Sequence, residues 1–169
     1  MTLKPGDLAP DFQLESVLDI LQSQDRVVSL QGILEKGPVL LVFAKESCPT
    51  CQYCLPFVQR IYQNYLDLEF SLVVIAQESL SAAQAMTHGL GLQMPILLDG
   101  DPFSVSEKYQ IEFVPAFFYV GQDGRIQRVL ESFVRRELVE INEEIAKVKG
   151  VDPLPFFTPD EVVPAFRPG

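Results

Sequence analysis

Residues 38–45, PVLLVFAK, carry six apolar side chains in a row, Val39 to Ala44, with no polar position between them. A strand with one wet face alternates apolar and polar residues, whereas an unbroken apolar run needs cover on both faces. This run therefore predicts a central strand with helices on either side of its sheet. FSLVVIAQ at 70–77, PILLD at 95–99 and AFFYVG at 116–121 have the same character.

Between these runs the period changes. Leu55, Val58, Ile61, Tyr62, Tyr65 and Leu66 recur at three and four, which predicts an amphipathic helix from Pro49 to about Asp67. SLSAAQAMTHGL predicts a second helix, with Ser79 or Ser81 as its cap and Gly89 near its end. DPFSVSEKYQ predicts a short helix opening on Asp101 with Pro102 in its first position, and FVRRELVEINEEIAKVKG a last helix stopped by Gly150. Gln122-Asp123-Gly124 predicts a hairpin turn between AFFYVG and RIQRVLES. Upstream, DFQLESV and RVVSL predict two short strands about a polar turn at Ser23-Gln24-Asp25, and GILEKGP a single helical turn ended by Gly37-Pro38. Helix and strand alternate, so the expectation is an α/β domain over residues 1–150, with a mostly parallel core and an antiparallel edge. Residues 151–169 differ, with Pro153, Pro155, Pro159, Pro164 and Pro168 close together. They predict an extended tail, either pinned to the body by Phe156, Phe157 and Phe166 or offering a strip to a partner.

The charge balance narrows the function. The net charge is −10, from 13 basic and 23 acidic residues. Phosphate backbones and anionic membrane surfaces are met by clustered Lys and Arg, so nucleic acid and membrane are not expected partners. No apolar run approaches the roughly 20 residues that span a bilayer. MTLKPGDLAPDF lacks the apolar core of a signal peptide. The expectation is a cytoplasmic protein as the sequence stands, or an exported one if a leader has been removed.

All three cysteines, Cys48, Cys51 and Cys54, lie in SCPTCQYCLP, where the first apolar run gives way to the first long helix. An odd number argues against a structural disulfide framework. As a redox couple, Cys48 would sit at the helix start, where unpaired backbone N–H groups and the helix dipole favour negative charge and thus the nucleophilic thiolate. Cys51 follows one turn later, within disulfide reach of a cysteine at the cap, and Pro49 suits a first turn that needs no N–H from it. As a metal site the group is one ligand short for zinc or an iron–sulfur cluster, and His88, the one histidine, lies well downstream. As buried thiols the cysteines would pack like small hydrophobes, which suits Cys54 better than Cys48.

With CPTC between strand and helix, the sequence resembles the thioredoxin-like superfamily, most closely its TlpA/ResA-type thiol–disulfide oxidoreductases and more distantly the AhpC/TSA peroxiredoxins. The resemblance runs from about Lys4 to Ala146, through KPGDLAPDFQL, VLLVFAKESCPTC, Leu55-Pro56 and LLDGD…KYQIEFVPAFFYVGQDGRI. It implies a thioredoxin-like fold with an N-terminal β-hairpin extension and an inserted βα unit. It also implies that Cys48 attacks, that Cys51 resolves, and that Pro115 is a cis-proline facing the pair. Pro49, Val114 and Pro115 would then meet the substrate, a protein or small-molecule disulfide. A reducing or oxidising partner protein would renew the dithiol, with no organic cofactor and no metal.

Three positions depart from that pattern. Ser47 stands where an aromatic residue usually precedes the first cysteine, Val42 where thioredoxins bury an acid, and Cys54 where TlpA/ResA-type proteins often place Glu. Glu46, Lys45 and Glu78 are candidates to handle the Cys51 proton, each against the alternative of a solvated surface charge. Cys54 is either a buried thiol in place of the acid or an auxiliary group able to capture a disulfide from Cys51. Two other functions compete. A peroxiredoxin-type thiol peroxidase needs Thr three residues before the attacking cysteine, and Lys45 is there instead. A Sco-like metal chaperone spaces its cysteines C-x-x-x-C and adds a far-downstream His.

Overall fold

The computed structural model describes residues 3–17 and 27–169. Its centre is a seven-stranded sheet in the order β2-β1-β5-β4-β3-β6-β7. The strands are β1 (Gln13–Ser16), β2 (Val27–Ser29), β3 (Val39–Ala44), β4 (Ser71–Ala76), β5 (Ile96–Leu98), β6 (Ala116–Val120) and β7 (Ile126–Glu131). Every residue of β3 is fully buried, as its unbroken apolar sequence requires. The helices are α1 (Leu30–Leu34), α2 (Pro49–Asn64), α3 (Leu80–Leu90), α4 (Ser104–Lys108) and α5 (Arg135–Lys149).

The expected parallel core is β3, β4 and β5, and antiparallel pairs flank it on both sides. Only β3–β4 and β4–β5 are parallel, while β1–β2, β1–β5, β3–β6 and β6–β7 are antiparallel. Burial on both faces shows in a sequence as an apolar run, but strand direction leaves no such mark, and β6 enters beside β3 from the opposite end. The β1–β2 partners are described, whereas the expected turn at Ser23-Gln24-Asp25 lies outside the described residues.

Several boundaries move for local reasons. Helix α1 begins before the GILEKGP turn, because Ser29 Oγ accepts from the Gly32 amide at 3.0 Å. Helix α2 ends at Asn64, short of Asp67. For α3 the cap is Ser79, and the stop is Gly91, with φ 63°, in place of Gly89. Asp101 and Pro102 do not open α4. Their peptide bond is cis and Phe103 follows with φ 59°. The first turn is capped by Asp99 instead, whose carboxylate accepts from the Val105 and Ser106 amides at 3.2 and 2.8 Å and from Ser106 Oγ at 2.6 Å. Phe133 and Val134 do not begin the last helix but form a short strand, β8 (Phe133–Val134).

The tail supplies the partner of β8. Strand β9 (Phe166–Arg167) runs antiparallel to it, pairing Phe133 with Arg167 and Val134 with Phe166. Upstream of β9 the tail is held by side chains of α2 and α5. Arg60 makes a two-pronged ion pair with Glu161 at 2.7 and 3.0 Å and donates to the Phe156 carbonyl at 3.0 Å. Asn142 Nδ2 donates to the Leu154 carbonyl at 3.0 Å, and the Leu154 amide donates to Tyr65 Oη at 3.0 Å. Phe156 is buried and Phe157 half-buried, but Phe166 is 57% exposed, so two of the three expected aromatic pins seat in the core and the third does not.

Candidate dithiol site

Strand β3 delivers the chain through Lys45, Glu46 and Ser47 to Cys48 at the head of α2. The Glu46 amide donates to the Glu78 carboxylate, and its carbonyl accepts from Gln52 Nε2 at 2.5 Å. The Cys48 amide donates to the Lys45 carbonyl at 3.2 Å, which turns the chain into the helix. Cys48 is the N-cap, with extended backbone at φ −92° and ψ 111° and Pro49 just inside the first turn. Its sulfur accepts from the Cys51 amide at 3.2 Å. A helix start leaves such N–H groups without intrahelical partners, and here one of them points at the sulfur.

The segment before β6 closes the other side. The Val114–Pro115 peptide bond is cis, and Cys48 Sγ donates to the Val114 carbonyl at 3.5 Å. Cys48 is half-buried, whereas Cys51 and Cys54 are fully buried one and two turns along α2. Burial raises the Cys51 thiol well above its ordinary value of 9.0. Its hydrogen bond to Cys48 adds to the rise, and a hydrogen bond to the Lys45 backbone opposes it. Burial also raises Cys54, with a smaller push from Cys48.

The structure thus brings together Cys48, Cys51 and the Val114–Pro115 segment, with Pro49 exposed beside them. Glu46 holds the approach loop through its main chain, and Glu78 is its partner there. Lys45 is exposed and offers its backbone. Val42 is buried within β3, in the place where thioredoxins carry an acid. His88 lies exposed in the last turn of α3, and among the described residues no three His, Cys, Asp or Glu side chains group as metal ligands. A hollow of about 550 Å³, lined by Leu8, Leu30, Leu34 and Gly124 among others, includes none of the candidate residues.

Sequence reasoning missed three contacts between the tail and the surroundings of the site. Thr50, between the two cysteines, is buried and donates to the Pro168 carbonyl at 2.6 Å. Ser132, with φ 68°, accepts from the Gly169 amide at 3.0 Å. The Arg167 guanidinium lies 4.3 Å from the centre of the Tyr53 ring. The proline content of the tail was the one signal available, and it indicates extended chain without saying where that chain goes.

A three-stranded parallel core, an antiparallel β6–β7 edge, and a cysteine pair at the start of α2 facing a cis-proline define a thioredoxin-like protein. The chain belongs to the AhpC/TSA family, whose pattern it matches over residues 5–129, and it is a thiol–disulfide oxidoreductase of the TlpA/ResA type. It is 25% identical over 137 residues to the thiol–disulfide oxidoreductase ResA of Oceanobacillus iheyensis, covering 80% of this chain and 69% of that protein. It is 25% identical over 145 residues to ResA of Halalkalibacterium halodurans, covering 85% and 78%. A crystal structure assigned as thiol:disulfide interchange protein DsbE from Chlorobium tepidum superposes with a TM-score of 0.76 at 19% identity, covering 88% of this chain and all of that one. Among the described residues no helix is long and apolar enough to cross a membrane.

Proposed function

We propose that the CPTC dithiol performs the exchange, with Cys48 as attacking sulfur and Cys51 as resolving sulfur. The Cys48 thiolate attacks one sulfur of a substrate disulfide. A Cys48–substrate bond forms, the substrate S–S bond breaks, and the departing thiolate takes up a proton. Cys51 then gives up its proton and attacks Cys48 Sγ. A Cys48–Cys51 bond forms, the second substrate thiolate leaves, and two electrons have passed from the dithiol to the substrate. Read backwards, the same steps oxidise a dithiol. The dithiol itself carries the electrons, so the reading calls for no organic cofactor or metal, only for a protein that renews the pair.

The observation that carries this reading is the position of Cys48 Sγ, which accepts from the Cys51 amide at 3.2 Å and lies 3.5 Å from the Val114 carbonyl. It is the one half-exposed sulfur of the three, and the neighbour it needs follows one turn along. Pro49, Val114 and Pro115 form the rim that a substrate would touch. Cys54 serves as a packed thiol in place of the family's Glu, and Glu46 as an auxiliary residue that sets the approach loop. The catalytic unit is residues 1–150, and 151–169 is a docked tail.

The test is a trap. Cys51→Ser should accumulate a mixed disulfide at Cys48, seen by mass spectrometry, whereas Cys48→Ser should accumulate none. A mixed disulfide carried by Cys54 in the trap variant would overturn the assignment. Direction follows from the reduction potential of the pair: about −270 mV would match a thioredoxin-like reductant and about −120 mV a DsbA-like oxidant.

A further inference from the structure

The last residues of the tail lie against the dithiol site. Thr50 holds the Pro168 carbonyl, Ser132 holds the Gly169 amide, and the Arg135 amide donates to the Ala165 carbonyl at 3.0 Å. Between these anchors β9 pairs with β8. Gly169 packs so closely on the cis-proline segment that a Cβ there would collide with the Val114 carbonyl oxygen, the group that meets Cys48 Sγ, and would lie 3.2 Å from Phe113 Cβ.

Two features separate this piece from the rest of the tail. The first is burial. Phe156 and Val163 are buried, whereas Ala165, Phe166, Pro168 and Gly169 are exposed, so freeing 165–169 uncovers little apolar surface. The second is the kind of contact. The Ala165 carbonyl, Pro168 carbonyl, Gly169 amide and β9 ladder are all main-chain groups. A site that grips mainly main chain accepts extended polypeptides of many sequences, here with two side-chain conditions: the Tyr53 ring meets Arg167 at 4.3 Å, and the Val114 carbonyl leaves no room for a Cβ at position 169. The segment also lies outside the stretch that matches the family.

We propose that Thr50, Ser132, the β8 edge and the Val114 carbonyl form a main-chain-binding groove whose ligand is an extended polypeptide carrying the disulfide, and that residues 165–169 are its intramolecular competitor. This rests on the reading of Cys48 as the attacking sulfur. A polypeptide disulfide must displace the tail to lie along the groove, whereas a small disulfide reaches Cys48 with the tail in place. The tail thus tilts the enzyme towards small disulfides until a polypeptide wins the groove. The apparent affinity for the polypeptide is lowered by the fraction of molecules whose groove is filled.

The test compares two adducts of full-length Cys51→Ser protein, with Cys48 joined by disulfide either to a linear cysteine peptide of about ten residues, long enough to extend along a strand edge, or to a methylthio group. Amide hydrogen exchange at Arg167 and Gly169 should be faster in the peptide adduct by about tenfold or more, as an opened tail requires. Equal protection in the two adducts would overturn the proposal. In otherwise unchanged protein, Gly169→Leu cannot seat against Val114. Pre-reduced Gly169→Leu should gain about fivefold in rate towards the peptide disulfide relative to 2-hydroxyethyl disulfide, roughly the weight of one neutral hydrogen bond. An unchanged or lowered ratio counts against the competitor. If the unaltered protein reduced neither disulfide, the oxidoreductase reading would fail alone, because the adducts are made chemically and the exchange comparison still decides the groove.

Discussion

The Cys51 amide donates to Cys48 Sγ over 3.2 Å, so the half-exposed sulfur caps the same helix that carries its partner. A side chain that accepts from the N3 amide contributes about 1 kcal/mol to a helix start. Sulfur accepts more weakly than the oxygen caps behind that figure, so Cys48→Ala should lower stability by up to about 1 kcal/mol in urea unfolding of the reduced protein, a loss of cap strength. Cys48→Ser keeps an acceptor and should retain most of that stability, while losing disulfide exchange altogether. Equal unfolding midpoints for the two variants would deny the sulfur a capping role.

On the proposed roles, the same geometry predicts a second step of exchange that is slow at neutral pH. Burial holds the Cys51 proton well above 9.0, and only the thiolate attacks. Closure of the Cys48 mixed disulfide should speed up about tenfold per pH unit and keep rising beyond pH 9. Stopped-flow release of the second substrate thiol reports this step. A plateau at or below pH 8 would mean that another group removes the proton, with the Glu46–Glu78 loop the first place to look.

Alkaline stability follows from Cys51 and Cys54 together. Both thiols are raised by burial above the 9.0 at which an unfolded thiol titrates. The folded state then holds protons that the unfolded chain releases, so their contribution is whole below pH 9 and is lost as pH rises above it. Reduced protein should lose about 1.4 kcal/mol per pH unit for each such thiol, and the Cys48–Cys51 disulfide form about half as much in total. Denaturant midpoints at pH 8, 9 and 10 in both redox states measure this. Parallel curves for the two states would contradict it.

At the acid end the tail is the sensitive part. Arg60 and the Thr158 amide hold the Glu161 carboxyl down to about 2 from its usual 4.5. A depressed carboxyl supports the folded arrangement above its unfolded pKa and withdraws that support as pH falls through the folded one. Glu161→Gln should raise amide exchange over 156–163 at neutral pH while leaving the sheet unchanged, and it should flatten the acid response of the tail between pH 4.5 and 2. Unaltered exchange over 156–163 in the variant would show that Phe156 and Val163 hold the tail without the ion pair.

What the sequence determined by itself was local. Six apolar residues in a row make β3 a buried strand, apolar spacing makes α2 a helix, and Cys48 before Pro49 puts a sulfur at its cap, because period and cap chemistry act within a few neighbouring residues. Tertiary structure alone decided the antiparallel entry of β6, the capture of the α4 turn by Asp99, and the pairing of β8 with β9. It also decided that Thr50 meets Pro168, 118 positions away, and that Gly169 lies on Val114. Each of these contacts has on at least one side a main-chain group that nearly every residue possesses, so the residue types involved do not name their partners in advance, and packing of distant segments selects which of many equivalent partners is taken.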